Sequence, residues 1–131
     1  MTNASLLVAR VLLALLFIVA GLGKLGNVEG FAGYMASGGV PAFLAWPVIL
    51  LEILGGIAVL IGLFTRPAAL ALGGFSILAG LLYHFDPADQ MQMTSLMKNL
   101  GLGGGFLLLA LQGAGAWSVD AKLGRAAAQP A

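Results

Sequence analysis

Four long apolar runs separated by short polar breaks set the rhythm of the chain. The first covers about 5–24, from Ser5 to Lys24, with Arg10 as its one interior charge. Some twenty residues at about 1.5 Å each suffice to cross roughly 30 Å of hydrocarbon. Similar runs follow over about 43–64, 68–84 and 94–112, so the pattern predicts four membrane-spanning helices. The first run is not read as a signal peptide. It lacks a basic leading region, and three further apolar runs follow it.

The breaks carry turn chemistry. Residues 25–41 are too glycine-rich and polar to span. Within them Asn27 can cap a helix, Glu29 favours its first turn, and Val28, Phe31 and Met35 repeat at three and four. Gly38 and Gly39 would end it. An amphipathic helix lying in the membrane interface accounts for this spacing, the plainer account being a loop with a few apolar residues. Trp46 reads as an interfacial anchor, and Pro47 is tolerated in the first turns of the second span. Thr65, Arg66 and Pro67 are expected to make a tight reversal. Asp86 and Pro87 are expected as the cap and first residue of the fourth helix. The domain is placed at 1–125, with a disordered tail over 126–131.

Composition enforces the membrane reading. The chain is 60% hydrophobic and 8% charged, with mean hydropathy +1.03. A soluble fold of 131 residues cannot hide that much apolar surface. The fold class is therefore all-α, an integral membrane four-helix bundle with an interfacial helix between spans one and two. A net charge of +1 points to no nucleic-acid partner. There is no cysteine, which removes disulfides and thiolate chemistry. With four spans both termini share a side. Arg66, Lys122 and Arg125 fall there with Arg10 just inside, and the opposite loops carry Glu29, Asp86 and Asp89. The positive-inside rule then places both termini in the cytoplasm.

Against this background Glu52 is the residue to explain. It lies in the middle of the second run with no other charge near it in sequence. An acidic residue at the centre of a span costs roughly 2.5–3.5 kcal/mol on insertion scales, so it needs a partner or a task. Arg10 and Lys98 are the two bases whose depth lets them reach it, Lys98 being favoured because Arg10 has water nearby as an alternative. Asn99 adds an amide to the same buried cluster. Arg10 and Lys24 are 14 residues apart, about 40° short of four turns, so they share a face with Ala14, Phe17 and Gly21 that should look inward. Lys24 and His84 form an outer polar pair. A lone histidine there is more often solvated or bonded to backbone than a ligand. Ser76 with Gly80, and Gly101 with Gly105, have the spacing of helix-packing seams. Met91, Met93 and Met97 share no clean face, which leaves them as lipid or packing contacts. No phosphate loop, nucleophile elbow or dinucleotide fingerprint is visible, and no metal set is expected.

Taken together the stretches resemble the DoxX family. They are Ala9-Arg10 with Phe17 to Lys24; Gly30 to Met35 with Gly39-Val40-Pro41; and Leu51-Glu52 to Gly56, running on to Gly62 and Arg66. Then come Tyr83-His84-Phe85, Lys98-Asn99-Leu100 with Gly104 to Phe106, and Ser118-Val119-Asp120. They cover nearly the whole chain in order. The resemblance implies a small four-helix bacterial inner-membrane protein. It associates the family with quinone-linked thiosulfate oxidation, quinol oxidase assemblies and oxidative-stress complexes, with more distant members as helpers for other membrane proteins. Lacking cysteine, this chain departs from any relative that works through thiols. One expectation is a redox-complex subunit that binds a quinone, with Glu52 as candidate proton acceptor beside Lys98, Asn99 and Arg10. The other is a non-catalytic scaffold or assembly helper whose buried charges fix helix register; besides the lipid bilayer, the partners expected are membrane redox-complex subunits or further copies in a homo-oligomer. A small-solute transporter ranks behind both.

Overall fold

The computed structural model describes residues 2–124. The described residues are helical with no strand, and four helices are long and apolar enough to cross a membrane. Helix α1, Asn3–Lys24, is capped by Thr2, whose side chain accepts from Ser5 N–H at 3.1 Å. Its buried stripe runs Leu6, Arg10, Ala14, Phe17, Gly21, steps of three and four that keep one face inward. Lys24 follows on that face at the helix end.

Helix α2, Val28–Ser37, starts where Asn27 accepts from Gly30 N–H at 2.9 Å and stops at Gly38 and the left-handed Gly39 (φ +87°). A short 3-10 turn, Ala42–Leu44, leads into α3, Ala45–Ile61. The second span thus ends earlier than the apolar run predicts, because Gly62 (φ +74°) closes it. Phe64 is also left-handed (φ +48°), a costly conformation for a residue with a side chain. The reversal therefore lies at 62–64. Thr65, Arg66 and Pro67 form the first turn of α4, Thr65–Tyr83, where proline's missing N–H costs nothing. The next cap also differs from expectation. Asp86 makes a local turn by accepting from Ala88 N–H, and Asp89 caps α5, Gln90–Gln112, by accepting from Met91 and Gln92 N–H.

Packing is pairwise, α1 against α3 and α4 against α5, with α3 and α4 joining the pairs. Glycines set the close approaches. A methyl at Gly56 would meet Ile18 Cγ1 at 2.8 Å, and one at Gly103 would meet Ile77 Cγ1 at 2.6 Å. Gly101 faces open space, so it is not part of the seam its spacing with Gly105 predicts. The core contains Ala14, Phe17, Val59, Leu72, Phe106 and Leu109, with Phe17 edge-on to Phe106 at 5.5 Å. Outward leucines such as Leu12, Leu54 and Leu111 are more than half exposed, as lipid-facing positions require.

Beyond Gly113 the chain folds back beneath the end of the bundle where α1 begins. Asp120 is the hub. Its carboxylate accepts from Phe64 N–H at 2.8 Å and Thr65 N–H at 2.9 Å, and its own N–H donates to Gly62 O at 2.8 Å. It thus caps α4 from more than fifty residues away and holds Phe64 left-handed. Arg66 Nη1 donates to the Ala110 and Leu111 carbonyls, satisfying the end of α5. Helix α6, Val119–Lys122, finishes this clasp. The tail expected over 126–131, and Arg125 with it, lies outside the described residues.

Candidate functional site

The site begins with a missing side chain. A methyl at Gly21 would stand 2.6 Å from Ile53 Cγ1 and 3.2 Å from Glu52 Cβ, so glycine alone lets α1 and α3 touch at this level. One turn further on, Lys24 reaches back to Glu52. Its Nζ is 3.0 Å from Oε1 and donates to Oε2 at 3.3 Å. The Oε1 contact is a close ion pair without hydrogen-bond alignment, which is why that oxygen is otherwise unpartnered. Glu52 is 3% exposed, whereas the Lys24 side chain keeps a quarter of its surface open. The carboxylate surrenders its solvation, and the ammonium supplies what replaces it.

This pairing corrects the expectation from depth. Glu52 pairs with neither Lys98 nor Arg10. Lys98 is exposed on the outside of α5, away from the carboxylate. Arg10 is buried but lies near the start of α1, where Nη2 donates to the Trp117 carbonyl at 2.7 Å and Asp120 supplies a neighbouring negative charge. Its Nε and Nη1 have no hydrogen-bond partner among the described residues. Arg10 therefore holds the folded-back segment in place. The four residues expected as one cluster are split: Glu52 and Asn99 share a cavity, and Arg10 and Lys98 are elsewhere. The outer pair, Lys24 and His84, joins that cavity instead.

The cavity has a volume of about 510 Å³ and lies between the four spans at the end covered by α2. Its wall is mainly Leu16, Phe17, Val48, Leu51, Phe75 and Leu102, with Glu52, Lys24, Asn99, Ser76, Tyr83 and His84 as the polar interruptions. Ser76 is already engaged, donating to Leu72 O at 2.8 Å, and His84 Nδ1 is 2.7 Å from Gln92 Oε1. The Asn99 amide carries no hydrogen bond among the described residues. The roof comes from α2. Phe31 lies over the Lys24 ammonium at 5.1 Å, Tyr34 stacks on Tyr83 at 5.0 Å, and Tyr83 O–H donates to Met35 O at 2.6 Å. An ammonium over a ring face is a favourable contact in a dry setting. Among the described residues no group of three or more metal-ligating side chains comes together.

Sequence reasoning missed Lys24 as the partner, Asp120 as a cap, and Phe31 and Tyr83 as contacts between α2 and the bundle. Gly21 was the available signal for the first, since it sits on the inward face one turn before Lys24.

The DoxX family model matches residues 5–85. The chain is 46% identical over 123 residues to the inner membrane protein YqjF of Escherichia coli (strain K12), covering 94% of this chain and 95% of that one. It is 33% identical over 124 residues to the inner membrane protein YphA of the same organism, covering 89% of each. A shorter match, 38% over 60 residues and 46% of this chain, is to CatD of Bacillus subtilis (strain 168), whose name describes it provisionally as an oxidoreductase. No solved structure matches the chain at a significant level.

Proposed function

The chain belongs to the DoxX family, and on that footing we propose that it is an inner-membrane subunit of a redox assembly that holds a quinone-type carrier in the cavity under α2. One observation carries this reading: an apolar space of about 510 Å³ with the Lys24–Glu52 pair and the unengaged Asn99 amide in its wall. Small-molecule sites are typically concave and apolar with a few convergent polar groups, at roughly 300–1,000 Å³. A quinone ring fits that description. Lys24 and Asn99 offer donors to its carbonyl oxygens, and Glu52 offers a base to the hydroxyls of the quinol. With a quinol bound there, Glu52 would be the acceptor for a ring-hydroxyl proton. CatD's name adds support from a relative of part of the chain. In this reading the termini face the cytoplasm, α2 lies in the opposite interface, and the cavity opens on that side.

The second reading, a scaffold or assembly helper, is favoured by a different fact. The Lys24–Glu52 pair joins α1 to α3 and has a purely structural use. Fluorescence separates the two. Trp46 adjoins the cavity-lining Pro47, and Trp117 contributes its backbone carbonyl to Arg10, so Trp117→Phe leaves Trp46 as sole reporter. Titrating that variant in lipid nanodiscs with a short-chain ubiquinone analogue should give saturable quenching. Ala79→Phe, which fills the cavity, should abolish it. Unsaturable quenching that ignores Ala79→Phe removes the carrier reading and leaves the scaffold.

A further inference from the structure

Helix α2 is attached to the bundle differently from the four long helices, each of which buries five or more residues. Only Met35 in it is buried. It is bounded by Gly26–Asn27 on one side and by Gly38 and the left-handed Gly39 on the other. Among the described residues a single hydrogen bond ties it to the spans, from Tyr83 O–H to Met35 O at 2.6 Å. Two ring contacts complete the attachment: Tyr34 on Tyr83, and Phe31 over Lys24. These three contacts stand along the roof of the cavity, which Phe31, Tyr34 and Met35 line from above.

We propose that α2 is a lid over the cavity, latched by Tyr83 and keyed to the Lys24–Glu52 pair through Phe31. The proposal rests on the cavity being a ligand site, as argued above, and adds how access to it is controlled. The key is Lys24, whose one ammonium serves both the Glu52 carboxylate in the wall and the Phe31 ring in the roof. With the lid shut, the ring shields one side of the ammonium, leaving only a quarter of the Lys24 side chain open, and the pair is strengthened by the lower local dielectric. With the lid open, the ammonium is wetted and its hold on Glu52 weakens. A ligand oxygen that draws on Lys24 competes with the same two partners, so occupancy and lid position are coupled. Lids that exclude water and admit ligand in this way turn on a few element-terminal residues, often small ones such as the glycines that flank α2.

The natural absence of cysteine makes the test direct. Ser76 lines the cavity and is buried, so Ser76→Cys gives a single thiol whose reaction with methyl methanethiosulfonate, read by mass spectrometry, reports access. In ligand-free nanodiscs, adding Tyr83→Phe should speed labelling roughly two- to tenfold, the population shift expected from losing one net hydrogen bond. Phe31→Leu, which leaves that bond in place, should also speed it, and the two together should exceed either. Native labelling rates in both variants, with helicity and elution unchanged, overturn the lid. The ligand class is read separately, by protection of Ser76→Cys with the ubiquinone analogue. Faster labelling without protection keeps the lid and removes the quinone. Protection with unchanged labelling rates keeps the quinone and removes the lid.

Discussion

Removing Lys24 is the sharpest probe of the ion pair. Lys24→Met keeps the length and apolar stem of the side chain and deletes only the ammonium that faces Glu52 at 3.0 and 3.3 Å. The carboxylate it leaves is 3% exposed in apolar surroundings. Breaking a buried pair by removing one partner typically costs about 3–5 kcal/mol. The loss has a ceiling, because the carboxyl can take a proton, which for an ordinary glutamate at pH 7 costs about 3.7 kcal/mol. We expect a destabilisation of about 2–4 kcal/mol. Glu52→Gln should cost less, about 1–2 kcal/mol, because Lys24 is partly exposed and can turn its ammonium to water. The double variant should resemble Glu52→Gln alone, leaving a coupling energy equal to the Lys24→Met loss, about 2–4 kcal/mol. Reversible unfolding of the four proteins in mixed micelles, followed by helical ellipticity, closes the cycle. Additive losses, with no coupling, would refute the pairing. Lys98→Met is the control. Its side chain is exposed, so it should change stability by less than about 0.5 kcal/mol.

The other expectations are simpler to read. Gly103→Ala puts a methyl 2.6 Å from Ile77 Cγ1 and should cost about 1–3 kcal/mol by overpacking, whereas Gly101→Ala and Gly104→Ala meet nothing and should be tolerated; thermal aggregation of detergent-purified variants ranks them. Asp120→Ala removes the acceptor for two backbone N–H groups and a charge near Arg10, and should cost at least about 2 kcal/mol. Limited proteolysis should show the same variant cut faster between residues 61 and 66. Ala79→Phe should leave the unfolding midpoint near native while reducing capture of the ubiquinone analogue, because it fills space at the cavity wall.

The apolar runs were enough to find the spans, since hydrocarbon accepts little else of that length. The caps at Asn27 and Gly38–Gly39 were legible because they act within one turn of themselves. The cap of α4 was not, because Asp120 reaches it from the far end of the chain and leaves no trace near Thr65. Glu52 stood out as a charge without water, yet its partner was misplaced. Depth along the membrane favoured bases nearer mid-span, but Gly21 decided the matter by letting two helices touch where a lysine at the span's end reaches inward. Lys98 is deep in sequence and still points away, because rotation about the axis of α5, not depth, decides what a side chain faces.

Asp120 also imposes an order on how the molecule is built. The link between α3 and α4 emerges early in synthesis, but the carboxylate that fixes its left-handed Phe64 is made more than fifty residues later. Until then two N–H groups at a helix start lack their acceptor, and Arg10 waits for the Trp117 carbonyl. The spans are therefore made before the end of the bundle where α1 begins is sealed, and the segment over 113–124 acts as a fastening applied after assembly. A chain halted at residue 112 would hold all four spans and still be unfinished.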